Sequence, residues 1–281
     1  MQKIALIVDS ACDLSLEFIN EKNIKLLPLR ITYSHGEYKD MLEITADEVY
    51  KNLENEIPKT SLPSAEDLEN ILVDLENNGY THVIAVTISS GLSGTFNSIR
   101  LALEDHPNLT SYVFDTKILA MPEGIVAIEV ANLIEKGASF EEIVKLIPEI
   151  RNNITGYFTV NTLDYLKKGG RIGKVAGTIG EMLSLKPIVS VDNDGVYYTV
   201  CKARGRKQSI GKLTEILKSH LSEGPCKVWI LHGGVLEEAK SIVESLKDLN
   251  NIVTIGISQI SPALGVHGGP GLLGLAIQKV N

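Results

Sequence analysis

Ser89, Ser90, Ser93 and Thr95 crowd four hydroxyls into residues 89–95, with Gly91 and Gly94 between them. Hydroxyls and free backbone N–H groups bind oxyanions, and glycine lets a ligand approach the main chain closely. An ordinary helix cap uses one hydroxyl, not four. Gly91-Leu92-Ser93-Gly94-Thr95 also fits the nucleophile-elbow pattern G-x-S-x-G except at its last position, where Thr95 replaces glycine. His267 with Asp9 or Asp115 would complete a serine triad, so a serine-dependent acyl hydrolase using Ser93 and His267 is the enzymatic alternative to an anion site. His267 lies in a glycine-rich stretch, where a ligand role and a plain surface position are both open.

The elements that hold these groups show in the hydrophobic pattern. Val83, Ile84, Ala85 and Val86 predict a buried strand, and Phe96, Ile99, Leu101, Ala102 and Leu103 recur at helical spacing. The hydroxyl loop therefore joins the carboxyl end of a strand to a helix N-terminus, where unpaired N–H groups and the positive end of the dipole favour an anion. Further strands are expected over 4–8, 24–33 and 112–114, and helices over 16–20, 47–53, 65–76, 95–104, 125–135 and 140–152. Ser10 or Asp13 is the expected cap of the first helix, and Ser64 with Asp67 forms a capping-box variant for the third. Segment 34–40 is polar and reads as a loop, and residues 58–64 form a second hydroxyl-bearing loop that carries Thr60 and Ser61. This alternation predicts a parallel sheet covered on both faces, with ligands beyond the carboxyl ends of its strands. Asp9-Ser10, residues 89–93 and Asp115-Thr116 fall at such ends.

Past residue 155 the pattern changes. A strand over 157–160 and a helical turn over 163–168 lead to Gly169-Gly170-Arg171. Arg171, between glycines, is the basic residue best able to enter a site and grip an oxyanion with two donors. Residues 175–185 are apolar, with Ile179, Met182 and Leu183 spaced for burial, and 172–189 is a candidate tunnel lining as well as ordinary core. Asn193-Asp194-Gly195 predicts a hairpin between 187–192 and 196–202. Helices over 207–221 and 236–246, strands over 227–231, 253–258 and 272–280, and a glycine loop over 264–271 complete the chain. The fold class is α/β: an N-terminal parallel-sheet α/β domain over 1–155 and a second α/β (α+β) domain over 156–281. Gly269-x-Gly271-x-x-Gly274 matches the dinucleotide fingerprint in form only, because no helix, second strand and acidic residue follow it.

The chain has 281 residues, a net charge of −8, 44% hydrophobic and 22% charged residues. Such an acidic balance disfavours general nucleic-acid binding. No apolar run approaches the roughly 20 residues of a membrane span, and no secretory leader precedes the first strand. Three widely spaced cysteines imply reduced thiols and a cytoplasmic protein, and no histidine pair has metal-ligand spacing, so neither metal nor cofactor is expected.

Five segments, in order, resemble the DegV family: Val8-Asp9-Ser10, Lys59-Thr60-Ser61-Leu62-Pro63-Ser64, residues 89–97, Gly169-Gly170-Arg171-Ile172 and His267-Gly268-Gly269-Pro270-Gly271. The resemblance spans nearly the whole chain. It departs at Leu62, where Gln is frequent, at Thr116, where Ser is usual, and at Gly269, where Thr is common. It implies a bacterial, non-catalytic subunit of a two-component fatty acid kinase. Such a protein buries the acyl chain of a long-chain fatty acid and presents its carboxylate to an ATP-binding kinase subunit. Transferred by motif, the carboxylate contacts are Thr60, Ser61, Ser93, Gly94, Thr95 and His267, with Arg171 and Arg204 near the headgroup or facing the kinase.

Overall fold

The computed structural model describes residues 2–178 and 185–280. Its strands are β1 (Ile4–Asp9), β2 (Lys25–Leu27), β3 (Arg30–Tyr33), β4 (Gly36–Lys39), β5 (Lys59–Ser61), β6 (His82–Thr87), β7 (Thr110–Asp115), β8 (Ile154–Thr159), β9 (Ile188–Val191), β10 (Tyr197–Cys201), β11 (Cys226–His232), β12 (Ile252–Gln259) and β13 (Leu273–Lys279). Three sheets result, in the orders β2-β1-β6-β7, β4-β3-β5 and β10-β9-β8-β13-β11-β12. The first is wholly parallel, the second antiparallel, and the third antiparallel except for β11 beside β12.

The layering follows from which faces are apolar. Helices Ala65–Asn77 and Thr95–Ala102 cover one face of the parallel sheet through Leu68, Leu72, Leu75 and Ile99. Its other face packs on Met121–Glu135, which is apolar nearly all round because it also packs on β8 and β13 of the large sheet. Helices Gly205–Glu223 and Leu236–Leu246 cover the far face of the large sheet. A helix with no polar face fits only such a central layer. The expected α/β architecture, with a parallel sheet and a second sheet, is what forms.

Several local expectations change. Segment 24–33 is not one strand: Pro28 interrupts it, and β2 and β3 join different sheets. Segment 34–40 is not a loop but contains β4, whose Gly36, Glu37, Tyr38 and Lys39 pair with Tyr33, Thr32, Ile31 and Arg30. Its polarity reflects an edge position. The first helix, Leu16–Glu21, is capped by Ser15 rather than Ser10 or Asp13, which are turned inward. Ser64 does accept from Asp67 N, but the Asp67 carboxylate goes to Arg30 and Lys39 instead of closing a box. Segment 264–271 is largely helical, within Pro262–Gly268. Ile179, Met182 and Leu183 lie outside the described residues.

Candidate functional site

The strand order places β1 at the point where the parallel sheet grows in both directions, with β6 beside it. Ligands of such sheets sit at this switch point, beyond the strand ends. Most polar groups there are consumed by the fold. Asp9 accepts from Ala11 N (3.0 Å) and Ile88 N (2.8 Å), tying the ends of β1 and β6 together. Asp115 accepts from Ser90 N at 3.0 Å and pairs with Lys117 at 2.8 Å. Ser89 Oγ donates to Gly195 O in the β9–β10 turn (2.8 Å), and Lys117 Nζ donates to Ser90 Oγ. The three polar clusters at the strand ends are thus mainly stitches.

Ser93 and Thr95 are the hydroxyls left over. Their oxygens lie 2.8 Å apart, and Thr95 N donates to Ser93 Oγ at 3.4 Å. Thr95 is fully buried and supports Ser93 from behind, while Ser93 and Gly94 line an open pocket of about 330 Å³. Gly94, at the pocket wall, precedes helix Thr95–Ala102, which has no side-chain bond from its capping residue. Thr60 and Ser61, on β5, form the opposite wall with Leu62. Arg171 reaches the same pocket and donates to Gly169 O (2.7 Å) and Leu92 O (3.3 Å). Among the described residues no carboxylate pairs with its guanidinium.

His267 enters from the last turn of Pro262–Gly268, with Nε2 2.7 Å from Thr60 Oγ1. Its Nδ1 is buried without a partner among the described residues and abuts Gly169, where any β-carbon would overlap the ring. Burial, with a smaller contribution from the Arg171 charge, pushes the imidazole down to about 4, so it is neutral at pH 7. No serine triad is assembled: the histidine nitrogen meets Thr60 rather than Ser93, its other nitrogen meets no acid, and Asp9 and Asp115 are engaged elsewhere. His267 also borders a second, apolar cavity of about 50 Å³ between the parallel sheet's edge and the large sheet. Leu119, Tyr197 and Leu264 line both spaces, whereas no described residue of 172–189 lines either. Arg204 is exposed at the start of Gly205–Glu223 and does not line the pocket.

The sequence profile described as "Uncharacterised protein, DegV family" matches residues 3–280. The chain belongs to the DegV family. It is 49% identical over 279 residues to a DegV domain-containing protein of Clostridium perfringens, covering 99% of each chain. Its fold is similar to that of DegV, a fatty acid binding protein from Bacillus subtilis, with a TM-score of 0.91, 30% identity and full coverage of both chains. It is similar as well to a stearic acid-binding protein from Eubacterium ventriosum, at a TM-score of 0.89 and 29% identity, covering 99% of this chain and 98% of that one. In this DegV-family chain, the hydroxyl loop pointed to Ser93, and the family motifs pointed to Thr60, Ser61 and His267. Leu119, Tyr197 and Leu264 carried no local signal, because an apolar cavity wall looks like core in sequence. No helix among the described residues is long and apolar enough to cross a membrane, and Cys12, Cys201 and Cys226 are free thiols.

Proposed function

We propose that this chain is a carrier for one long-chain fatty acid. The carboxylate is held by Thr60, Ser61, Ser93, His267 and the main chain at Gly94, with Thr95 behind Ser93, and the acyl tail runs into the apolar cavity. The observation that carries this reading is the shared wall: His267 borders both the hydroxyl-lined pocket and the apolar space behind it. A molecule lying across that boundary is polar at one end and apolar along its length, as are the fatty acids of the solved relatives. Hydroxyls and N–H groups bind a carboxylate without a buried lysine, and Arg171 supplies positive charge at the mouth. Burying a tail contributes about 0.8 kcal/mol per methylene before the costs of association, and the cavity of about 50 Å³ must widen on binding to take a long chain.

We further propose that the chain is not an enzyme by itself. An ATP-binding kinase subunit would transfer the γ-phosphoryl group of ATP to the bound carboxylate, breaking its bond to the leaving ADP and forming an acyl phosphate. Ser93, His267 and Arg171 would stabilise the added charge, and the exposed Arg204 would face the kinase. The resemblance supports this part. The decisive experiment is mass spectrometry of lipid extracted from purified protein, beside Ser93→Ala. Stoichiometric free fatty acid on the wild type and less on the variant is expected. No lipid on either, with an esterase activity lost in Ser93→Ala, overturns the carrier reading.

A further inference from the structure

His267 belongs to a helix of only seven residues, so its place depends on what holds the helix's other end. Two buried carboxyl groups do so, both from the first forty residues of the chain. Asp13 Oδ1 accepts from Ser261 N at 2.8 Å, and Asp40 Oδ1 accepts from Ala263 N at 2.9 Å. Asp40 is wholly buried and Asp13 nearly so. Ser10 orients the second of them: its hydroxyl donates to Asp40 Oδ2 at 2.6 Å and accepts from Leu29 N at 3.0 Å. Leu29 in turn lines the headgroup pocket. The amides of Ser261 and Ala263 are helix-start donors with no acceptor inside the helix, so an outside carboxyl completes them without competing with helical bonds.

We infer that Asp13 and Asp40 are positioning residues for His267, fixing the start of its helix so that the imidazole meets Thr60. This rests on the carrier reading for the ligand, but the positioning itself is a property of the free protein. The lever is short and stiff: at 1.5 Å per residue the pinned start lies under about 10 Å from His267. Gly265 packs beneath Tyr50 and Gly169 abuts the ring, so the helix cannot shift without moving the imidazole off Thr60. Burial pushes Asp40 up to about 7, and the neighbouring Asp9 charge adds to this, so near neutrality it is not a fully ionised salt-bridge partner. It acts through hydrogen bonds.

The test compares two ligands that differ only at the head, hexadecanoate and 1-hexadecanol, on delipidated full-length protein, with the His267 ring signals read by NMR before lipid is added. Asp40→Ala is expected to weaken hexadecanoate at least tenfold, leave hexadecanol within about twofold, and shift the His267 signals. Ser10→Ala keeps both carboxyls and is expected to do the same to a smaller degree, and it decides the matter should Asp40→Ala not fold. Equal loss for both ligands, or unchanged His267 signals in the folded variants, overturns the inference. Wild-type protein that binds neither lipid overturns the carrier reading instead, and the ligand-free His267 signals still decide whether Asp40 positions the ring.

Discussion

At the scale of single residues, the site turns on one imidazole with a hydroxyl on one side and a glycine on the other. Gly169 has ordinary right-handed backbone angles, so alanine strains nothing locally, yet its methyl would overlap His267 Nδ1. Gly169→Ala is therefore expected to fold normally and to weaken fatty-acid binding more than tenfold by calorimetric titration. Gly211→Ala, whose methyl meets nothing within 4 Å, is the control and should bind as wild type. His267 itself should titrate near 4 by NMR, well below its ordinary 6.5. Because the folded value is depressed, the unfolded chain takes up the proton first, and this residue's contribution to stability is lost as pH falls from 6.5 towards 4. A midpoint near 6.5 would place the ring in water.

At the scale of elements, the β9–β10 turn and the hydroxyl loop form one unit. Gly195, at φ +80°, offers its carbonyl to Ser89 Oγ, and a β-carbon on Gly91 would collide with that same carbonyl. Ser89→Ala removes one buried bond to Gly195 and one part-buried bond from Gly91 N. A loss of about 1–3 kcal/mol in denaturant unfolding is expected, and an unchanged midpoint would show that the turn holds the loop by packing alone. The same scale explains the misread helix at Pro262–Gly268. Glycine in a helix costs about 1 kcal/mol, so Gly265 and Gly268 argued for a loop. In the structure Ser261 caps the helix and Pro262 stands at its first position, and this start outweighs the glycines. Gly265 is small because Tyr50 closes on it: a β-carbon there would lie 3.0 Å from Tyr50 Oη.

At the scale of the whole molecule, the centre holds carboxyl groups that burial makes reluctant to ionise. Asp9 and Asp40 are each pushed up to about 7, and Asp13 and Glu123 well above their ordinary values. Neither oxygen of Glu123 has a partner among the described residues. A raised folded value means that stability is fully present below the unfolded value, 3.8 for the aspartates and 4.5 for Glu123, and is lost as pH rises through the folded one. Surface carboxylates with lowered values, such as Asp192 and Glu48, are ionised throughout the upper part of that window and do not offset the trend. The melting temperature is thus expected to fall between pH 5 and pH 8, and Glu123→Gln should flatten the slope. A melting curve that rises over that range would show that these groups ionise freely in the fold.

The sequence by itself determined the alternation of elements, the parallel sheet, the hairpin at Asn193-Asp194-Gly195, and the family, because hydrophobic period, turn residues and spaced motifs are local signals. It nominated Ser93 by its hydroxyl loop, and Thr60, Ser61 and His267 through the family resemblance. Only the tertiary structure decided which hydroxyls were free. Ser89, Ser90, Asp9 and Asp115 look like ligand groups in sequence, but partners up to 106 residues away claim them. It alone showed that β5 and the helix Pro262–Gly268, 207 residues apart, bring Thr60 against His267. Leu119, Tyr197 and Leu264 came to line two cavities by the same long-range packing. Which groups remain unpaired, and which apolar faces remain uncovered, is a property of contacts distant in sequence, and no local pattern encodes it.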